Sequence, residues 1–254
     1  MVSNAAPVPS VGMDRGAVRL RVGLLVCDHV LPEFVDTAGD YPDMFVRLFG
    51  DYPGVELVAY DLTAGRFPDS LGECDGWITT GSKRSVYEDE RWIVRFADLV
   101  RAAADEDRPF VGVCFGHQML AHALGGRVLR SERGWGVGVK TVEVVQNEPW
   151  MGDHPPVYAV LNSHADQVVE PPPGAEVLGG NDHCPVSLMR VGDHMLGIQG
   201  HPEFVPAYSR VLMEARRGVL IPDAVVDQGL RTLGTPPDTA RLADWIVGFL
   251  LGSV

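Results

Sequence analysis

"PFVGVCFGHQMLAHALGG", residues 109–126, changes from one kind of local structure to another within a few residues. The segment "FVGVC" is short and apolar with a proline before it, as suits a strand buried on both faces of a sheet. From Phe115 the spacing turns helical and runs alanine-rich as far as Leu124. Cys114 stands at the junction, flanked by Gly112 and Gly116 as G-x-C-x-G. That spacing parallels the G-x-S-x-G turn on which serine hydrolases present a nucleophile. The glycines leave room for a strained turn that projects the side chain clear of the sheet as an exposed elbow. The helix that follows offers the sulfur backbone N–H groups and a partial positive charge. A lone cysteine in an apolar run is ordinarily inert packing. The paired glycines and the strand-to-helix switch reverse that reading here and make Cys114 a candidate nucleophile.

The same alternation continues to either side. "VRLRVGLLVC" (18–27), "VELVAYD" (55–61) and "CDGWITTGS" (74–82) read as strands, with a helix near "DMFVRLFG" (43–50). Trp92, Phe96, Leu99 and Val100 recur at helical spacing, and Pro109 is expected to stop that helix. Strands alternating with helices imply parallel βαβ units, hence an α/β fold with a mostly parallel central sheet between helical layers. In the middle, "GVGVKTVEVV", "PVYAVLN" and "HCPVSLMRVGDHMLGIQG" are short β-like runs. They suggest a small antiparallel insertion that packs on the main sheet or extends it. The end returns to helices, the last with Leu242, Trp245, Ile246 and Phe249 on one stripe. Residues 1–16 read as a loose tail and 17–254 as a single domain.

Bulk properties remove several function classes. A net charge of −13 with no Lys/Arg run argues against a nucleic-acid binder. No apolar run approaches the roughly 20 residues of a membrane span, and the N-terminus lacks the apolar core of a signal peptide. Four scattered cysteines without a CxxC pair give neither a metal site nor a disulfide framework, so a reducing cytoplasm is expected, with no metal or cofactor.

A cysteine nucleophile needs a base and an orienting acid. His201 lies in "LGIQGHPEF" (196–204), where Pro202 disfavours helical backbone at the histidine. In extended chain His201 and Glu203 share a face, so the carboxylate can hold the ring in the third-group role of a triad. A surface turn at a strand end is the competing reading. His117 reads as structural, and His122, His154, His183 and His194 as surface or packing residues.

Taken together, "GVCFGHQMLAHALGG", the "GIQGHPEF" that follows, the intervening "NSHADQV" and the upstream "GWITTGSKRSVYEDE" resemble the class I (triad-type) glutamine amidotransferase family. The resemblance runs from about Val22 to Phe204, with four motifs in the family's order. It extends to the glutaminase domain of GMP synthase and, through "RGWGVG" (133–138), to γ-glutamyl peptidases. It implies a flavodoxin-like, three-layer α/β fold. In the roles it implies, Cys114 attacks a γ-glutamyl amide, His201 serves as acid and base, and Glu203 orients the ring. Backbone N–H groups of Ser82 and Phe115 form the oxyanion hole, with Gly81 in the same turn. Gln118 and the segment Ser163, His164, Ala165 and Asp166 hold the substrate's amino-acid end.

Where many members of that family have Gly-Gly-Pro, this chain has Gly81-Ser82-Lys83-Arg84. The donor is backbone, so the change need not abolish it, though serine adopts an unusual φ less readily than glycine. Lys83 and Arg84 are either a solvated turn or a seat for a substrate carboxylate. Three functional readings follow. The first, ranked ahead of the others, is a glutaminase that passes ammonia to a synthetase partner, which must be separate since nothing after the His-Pro-Glu segment resembles a synthetase. The second is a stand-alone γ-glutamyl peptidase. The third is a degenerate regulatory or binding module, against which the intact Cys114, His201 and Glu203 argue.

Overall fold

The computed structural model describes residues 14–252. The first half holds β1 (Leu20–Val26), α1 (Val35–Ala38), α2 (Tyr41–Leu48), β2 (Val55–Asp61), β3 (Gly76–Thr79), α3 (Arg91–Asp105), β4 (Phe110–Val113) and α4 (Phe115–Ala123). Then come β5 (Arg127–Arg130), β6 (Gly136–Val144), β7 (Val157–His164), β8 (Asp166–Glu170), β9 (Ala175–Gly180), β10 (Leu188–Val191) and β11 (Met195–Ile198). Three helices follow: α5 (Pro206–Arg216), α6 (Asp223–Thr232) and α7 (Thr239–Gly252).

Nine strands make one sheet in the order β2-β1-β3-β4-β11-β10-β9-β6-β7. Neighbours from β2 to β11 are parallel, and those from β11 to β7 are antiparallel. The antiparallel insertion therefore extends the sheet, while β5 and β8 pair as a separate two-stranded ribbon. The α/β class expected from the alternating pattern is the one observed. Parallel strands need crossovers, and α3 and α4 supply them on one face. There Ile93, Phe96, Val100, Phe115 and Met119 close over Trp77 and Phe110. On the other face α2 and α7 bury Phe45, Leu48, Trp245 and Phe249, so the stripe read from the last helix is core.

Some local readings shift. Helix α3 ends at Asp105, and the reversal is made by Asp107 at φ +52°. Pro109 thus follows the stop and does not cause it. Residues 1–13 of the expected tail lie outside the described residues. Residues 15–17 form a turn, and Arg15 reaches Asp51 at 2.8 Å and Asp244 at 2.7 Å over the Tyr52 ring. No helix among the described residues is long and apolar enough to cross a membrane.

Open parallel sheets bind ligands outside the carboxyl ends of their strands, where the strand order reverses. Here β1 lies between β2 and β3, so the reversal falls between β1 and β3. The chain delivers Asp28 after β1, Gly81 and Ser82 after β3, Cys114 after β4 and His201 after β11, all at that one end.

Candidate active site

The β4–α4 junction is a tight elbow. Cys114 caps α4 at φ +50°, ψ −95°, one of two non-glycine residues with positive φ among the described residues. A conformation of this kind costs on the order of 1–3 kcal/mol and persists only where surroundings enforce it. The two glycines are part of that enforcement. A Cβ on Gly112 would lie 2.5 Å from the backbone C and O of Gly116, and one on Gly116 would overlap the Thr79 side chain. Thr79 Oγ1 in turn accepts the Val113 N–H at 3.0 Å, tying β3 to β4 beside the elbow. The elbow is not exposed as expected: Cys114 is only 4% accessible. Helix α4 and the sheet's carboxyl edge enclose it, and its thiol forms the floor of a cavity of about 200 Å³.

His201 arrives from β11 and is pinned by its own N–H, which donates to Leu161 O at 2.7 Å. The extended segment ends there. Pro202 and Glu203 turn, and the turn brings the Glu203 carboxylate back under the ring, with Nδ1 and Oε1 2.8 Å apart. The shared face expected from extended chain is therefore achieved by a turn. Phe204 stacks on the imidazole at 3.8 Å between centroids. On another flank Gly81 comes so close that a Cβ there would sit 2.8 Å from His201 Cε1 and 3.6 Å from Cys114 Cβ. Burial opposes charge on this ring. The negative charge of Cys114 and of Glu203, with their hydrogen bonds, outweighs it and pushes the imidazole up to about 10. Burial pushes the Cys27 and Cys74 thiols up and the Cys184 thiol up to about 11, which disfavours the thiolate each would need as a nucleophile.

The turn after β3 is held from several sides. Lys83 N and Nζ donate to the two Asp28 oxygens at 3.0 and 2.7 Å. Ser85 Oγ donates to Asp166 Oδ2 at 2.5 Å. Ser82 does not adopt positive φ, so the expected difficulty for serine does not arise; the strain is at Cys114. Phe115 is the first residue of α4, where an N–H has no acceptor within its own helix. Its ring is buried between Trp92 and Phe96. Lys83 and Arg84 line the cavity but are ion-paired, Lys83 to Asp28 and Arg84 to Glu90 at 2.7 Å.

Gln118, Ser163, His164, Ala165 and Asp166 all line the cavity. Gln118 Nε2 donates to Asp166 O at 2.8 Å, which fixes the start of β8 against α4. His164 is kept neutral by burial and by His183, which push it down to about 3, and its Nδ1 meets Asp166 O at 3.2 Å. Three further groups at the site escape the sequence reading. Gln199, fully buried, accepts from Gln118 Nε2 at 3.2 Å and donates to Cys114 Sγ at 3.7 Å. Its signal is present in the chain, since it lies two residues before His201 and so shares its face. Arg216 reaches the cavity through α5, where no local pattern marks it; Trp135 reaches it from the loop before β6, within the "RGWGVG" segment but not singled out there. Among the described residues no three His, Cys, Asp or Glu side chains could hold a metal ion.

The arrangement can deliver a sulfur nucleophile, a proton carrier and backbone donors to one point. A family model described as glutamine amidotransferase class-I matches residues 54–215. Gamma-glutamyl peptidase 2 of Arabidopsis thaliana is 30% identical over 231 residues, 87% of this chain and 92% of that protein. A glutamine-hydrolysing GMP synthase subunit from Halobacterium salinarum is 34% identical over 179 residues, 69% of this chain and 88% of that protein. Among solved structures, a glutamine amidotransferase from Thermotoga maritima superposes with a TM-score of 0.71 at 22% identity, covering 92% of this chain and 97% of that one. That likeness carries the fold. A strand order built around a β4–α4 elbow and the matched span agree, and the chain belongs to the class-I glutamine amidotransferase family.

Proposed function

We propose that the protein hydrolyses a γ-glutamyl amide through Cys114, and that the departing amine is larger than ammonia. The observation that carries the reading is that Cys114 and His201 line one cavity, with Glu203 buried and 2.8 Å from His201 Nδ1. In the first step Sγ bonds to the δ-carbon of the glutamyl group and the C–N bond breaks. His201 gives its proton to the departing nitrogen. Backbone N–H groups of Ser82 and Phe115 balance the charge of the tetrahedral oxygen, a contribution worth about 10²–10³ in turnover per donor. Water, deprotonated by His201, then attacks the thioester, and glutamate leaves with the thiol restored. Glu203 keeps the ring in the tautomer that faces Cys114.

A larger amine is supported by the room beyond the thiol. Trp135, Leu212 and Leu220 are apolar residues of the cavity lining, contacts that a departing ammonia would not use. The similarity to γ-glutamyl peptidase 2 over nearly all of that protein supports the same reading. It reverses the order in which the sequence alone ranks the two enzymatic readings. The similarity to the GMP synthase subunit favours the second, in which ammonia passes to a separate synthetase. The four cysteines are all free, which suits a reducing, cytoplasmic setting for a thiol enzyme.

The test is release of glutamate and ammonia by the purified protein from L-glutamine and from γ-glutamyl dipeptides, with Cys114→Ala as control. Cys114-dependent turnover that is faster on dipeptides supports the reading. Slow turnover confined to glutamine moves it to the ammonia-donating alternative. Hydrolysis that survives Cys114→Ala removes the thioester altogether.

A further inference from the structure

The chain carries a net charge of −13, yet its cavity is lined by Lys83, Arg84, Arg130 and Arg216 against one carboxylate, Asp166. Such an inversion of sign concentrates anions at the mouth. Lys83 and Arg84 are neutralised by Asp28 and Glu90. Arg216 has no carboxylate within ion-pair distance among the described residues. Its neighbour Arg217 faces the other way, 2.8 Å from both Glu214 and Asp227.

Arg216 is nevertheless held in place. Nη1 donates to Ser163 Oγ at 3.0 Å, and the guanidinium carbon lies 5.6 Å from the centroid of the Trp135 ring. Both partners are uncharged, so they orient the group without cancelling its charge. A guanidinium has five N–H donors in a rigid fork matched to a carboxylate. The Ser163 hydroxyl engages one of them and leaves the rest of the fork for a ligand.

Position says which part of a substrate would meet that fork. Gln118, Asp166 and Ser85 are hydrogen-bonded together on the α4 and β8 side of Cys114. Arg216 closes α5, the helix that starts five residues after His201. Its partner Ser163 lies on β7 two residues beyond Leu161, whose carbonyl accepts the His201 N–H. Arg216 therefore stands on the His201 side of the cavity, by the group that hands its proton to the departing nitrogen. We propose that Arg216 is the specificity residue for the departing amine, and that it selects γ-glutamyl amino acids by binding the carboxylate one carbon from the scissile nitrogen. Leu212, Leu220 and Trp135 then face the departing residue's side chain and favour an apolar one. This inference rests on the reading of Cys114 as the nucleophile.

A matched pair of substrates tests it: γ-glutamyl-leucine and the γ-glutamyl amide of 3-methylbutylamine, which is the same amine without its carboxylate. The readout is the ratio of kcat/KM for the pair, measured on the full chain. In the wild type the ratio is expected to favour γ-glutamyl-leucine by about 10- to 100-fold, the range of charge-assisted hydrogen bonds to a carboxylate. Arg216→Met collapses it toward one, mainly through KM on γ-glutamyl-leucine, and Arg216→Lys restores part of it. A wild-type ratio near one overturns the proposal even if no variant folds. So does a ratio that Arg216→Met leaves unchanged, which is the result if Arg216 holds the glutamyl end or only the fold. Turnover of neither amide above the Cys114→Ala control is a different failure, that of the parent reading.

Discussion

Replacing Glu203 by glutamine removes a negative charge 2.8 Å from His201 Nδ1 and keeps the side chain's shape. The Glu203 side chain is 0% accessible and that of His201 4%, so water screens little of the interaction. A hydrogen bond to a charged group in such a site contributes about 1.5–3 kcal/mol. At 1.36 kcal/mol per pH unit, that is a fall of about one to two units in the imidazole. His201 stands at about 10 in the intact protein, where burial opposes the charge and Cys114 and Glu203 together overcome it. The first step requires the protonated ring, so kcat/KM should fall on the alkaline side of that value and, in Glu203→Gln, one to two units lower. The assay is kcat/KM for a γ-glutamyl amide between pH 6 and 11. If turnover of the variant is too slow, the Hε1 resonance of His201 is titrated by NMR instead. An alkaline limb that does not move in a folded Glu203→Gln protein would refute the assignment of Glu203 as the group that holds the proton on His201.

Strain at the elbow is separable from its chemistry. Cys114→Gly should be inactive yet more stable than Cys114→Ala, by a net ~0.5–2 kcal/mol after allowing for glycine's extra freedom in the unfolded chain. Identical thermal midpoints would count against a strained Cys114. Gly112→Ala drives a methyl into the Gly116 backbone, which cannot yield, and should cost ~1–3 kcal/mol along with activity, read by urea denaturation. Gln199→Leu removes a donor to Cys114 Sγ and is expected to slow alkylation of the thiol by iodoacetamide at neutral pH about 2- to 10-fold; an unchanged rate would mean the amide does not support the thiolate. His117, pushed by burial down to about 4, takes up its proton more readily when unfolded. Its contribution to stability is therefore lost as pH falls from about 6.5 through 4. Urea titrations across that window should show a shallower pH slope in His117→Leu, whatever its absolute stability.

Patterns in the chain are legible where the physics is local. "VELVAYD" is β2 residue for residue, because a short apolar run set off by Pro53 and Gly54 on one side and a turn on the other leaves little choice. The G-x-C-x-G elbow and the His201/Glu203 pair each lie within five residues, so spacing alone brings their side chains close. The end of α3 is misread because a reversal at Asp107 carries no proline or glycine to announce it. Whether the antiparallel strands pack on the sheet or extend it depends on edge pairing between β10 and β11, which no single strand encodes. Arg216 and Trp135 are 81 residues apart and meet only because α5 folds back beside the loop before β6. Gln199 is legible in principle, through its two-residue offset from His201, but an amide inside an apolar strand resembles a packing defect and hides there.

The confinement of the His201 ring sets the fate of the proton it carries. With Phe204 against one face and Gly81 against a flank, the imidazole cannot turn over until its surroundings part. Events of that kind belong with local opening and not with free side-chain rotation. The nitrogen beside Glu203 and the nitrogen beside Cys114 therefore keep their identities through a turnover. A hydrogen collected on the cavity side is returned on the cavity side, to amine or to sulfur, and bulk solvent exchanges it by way of the cavity.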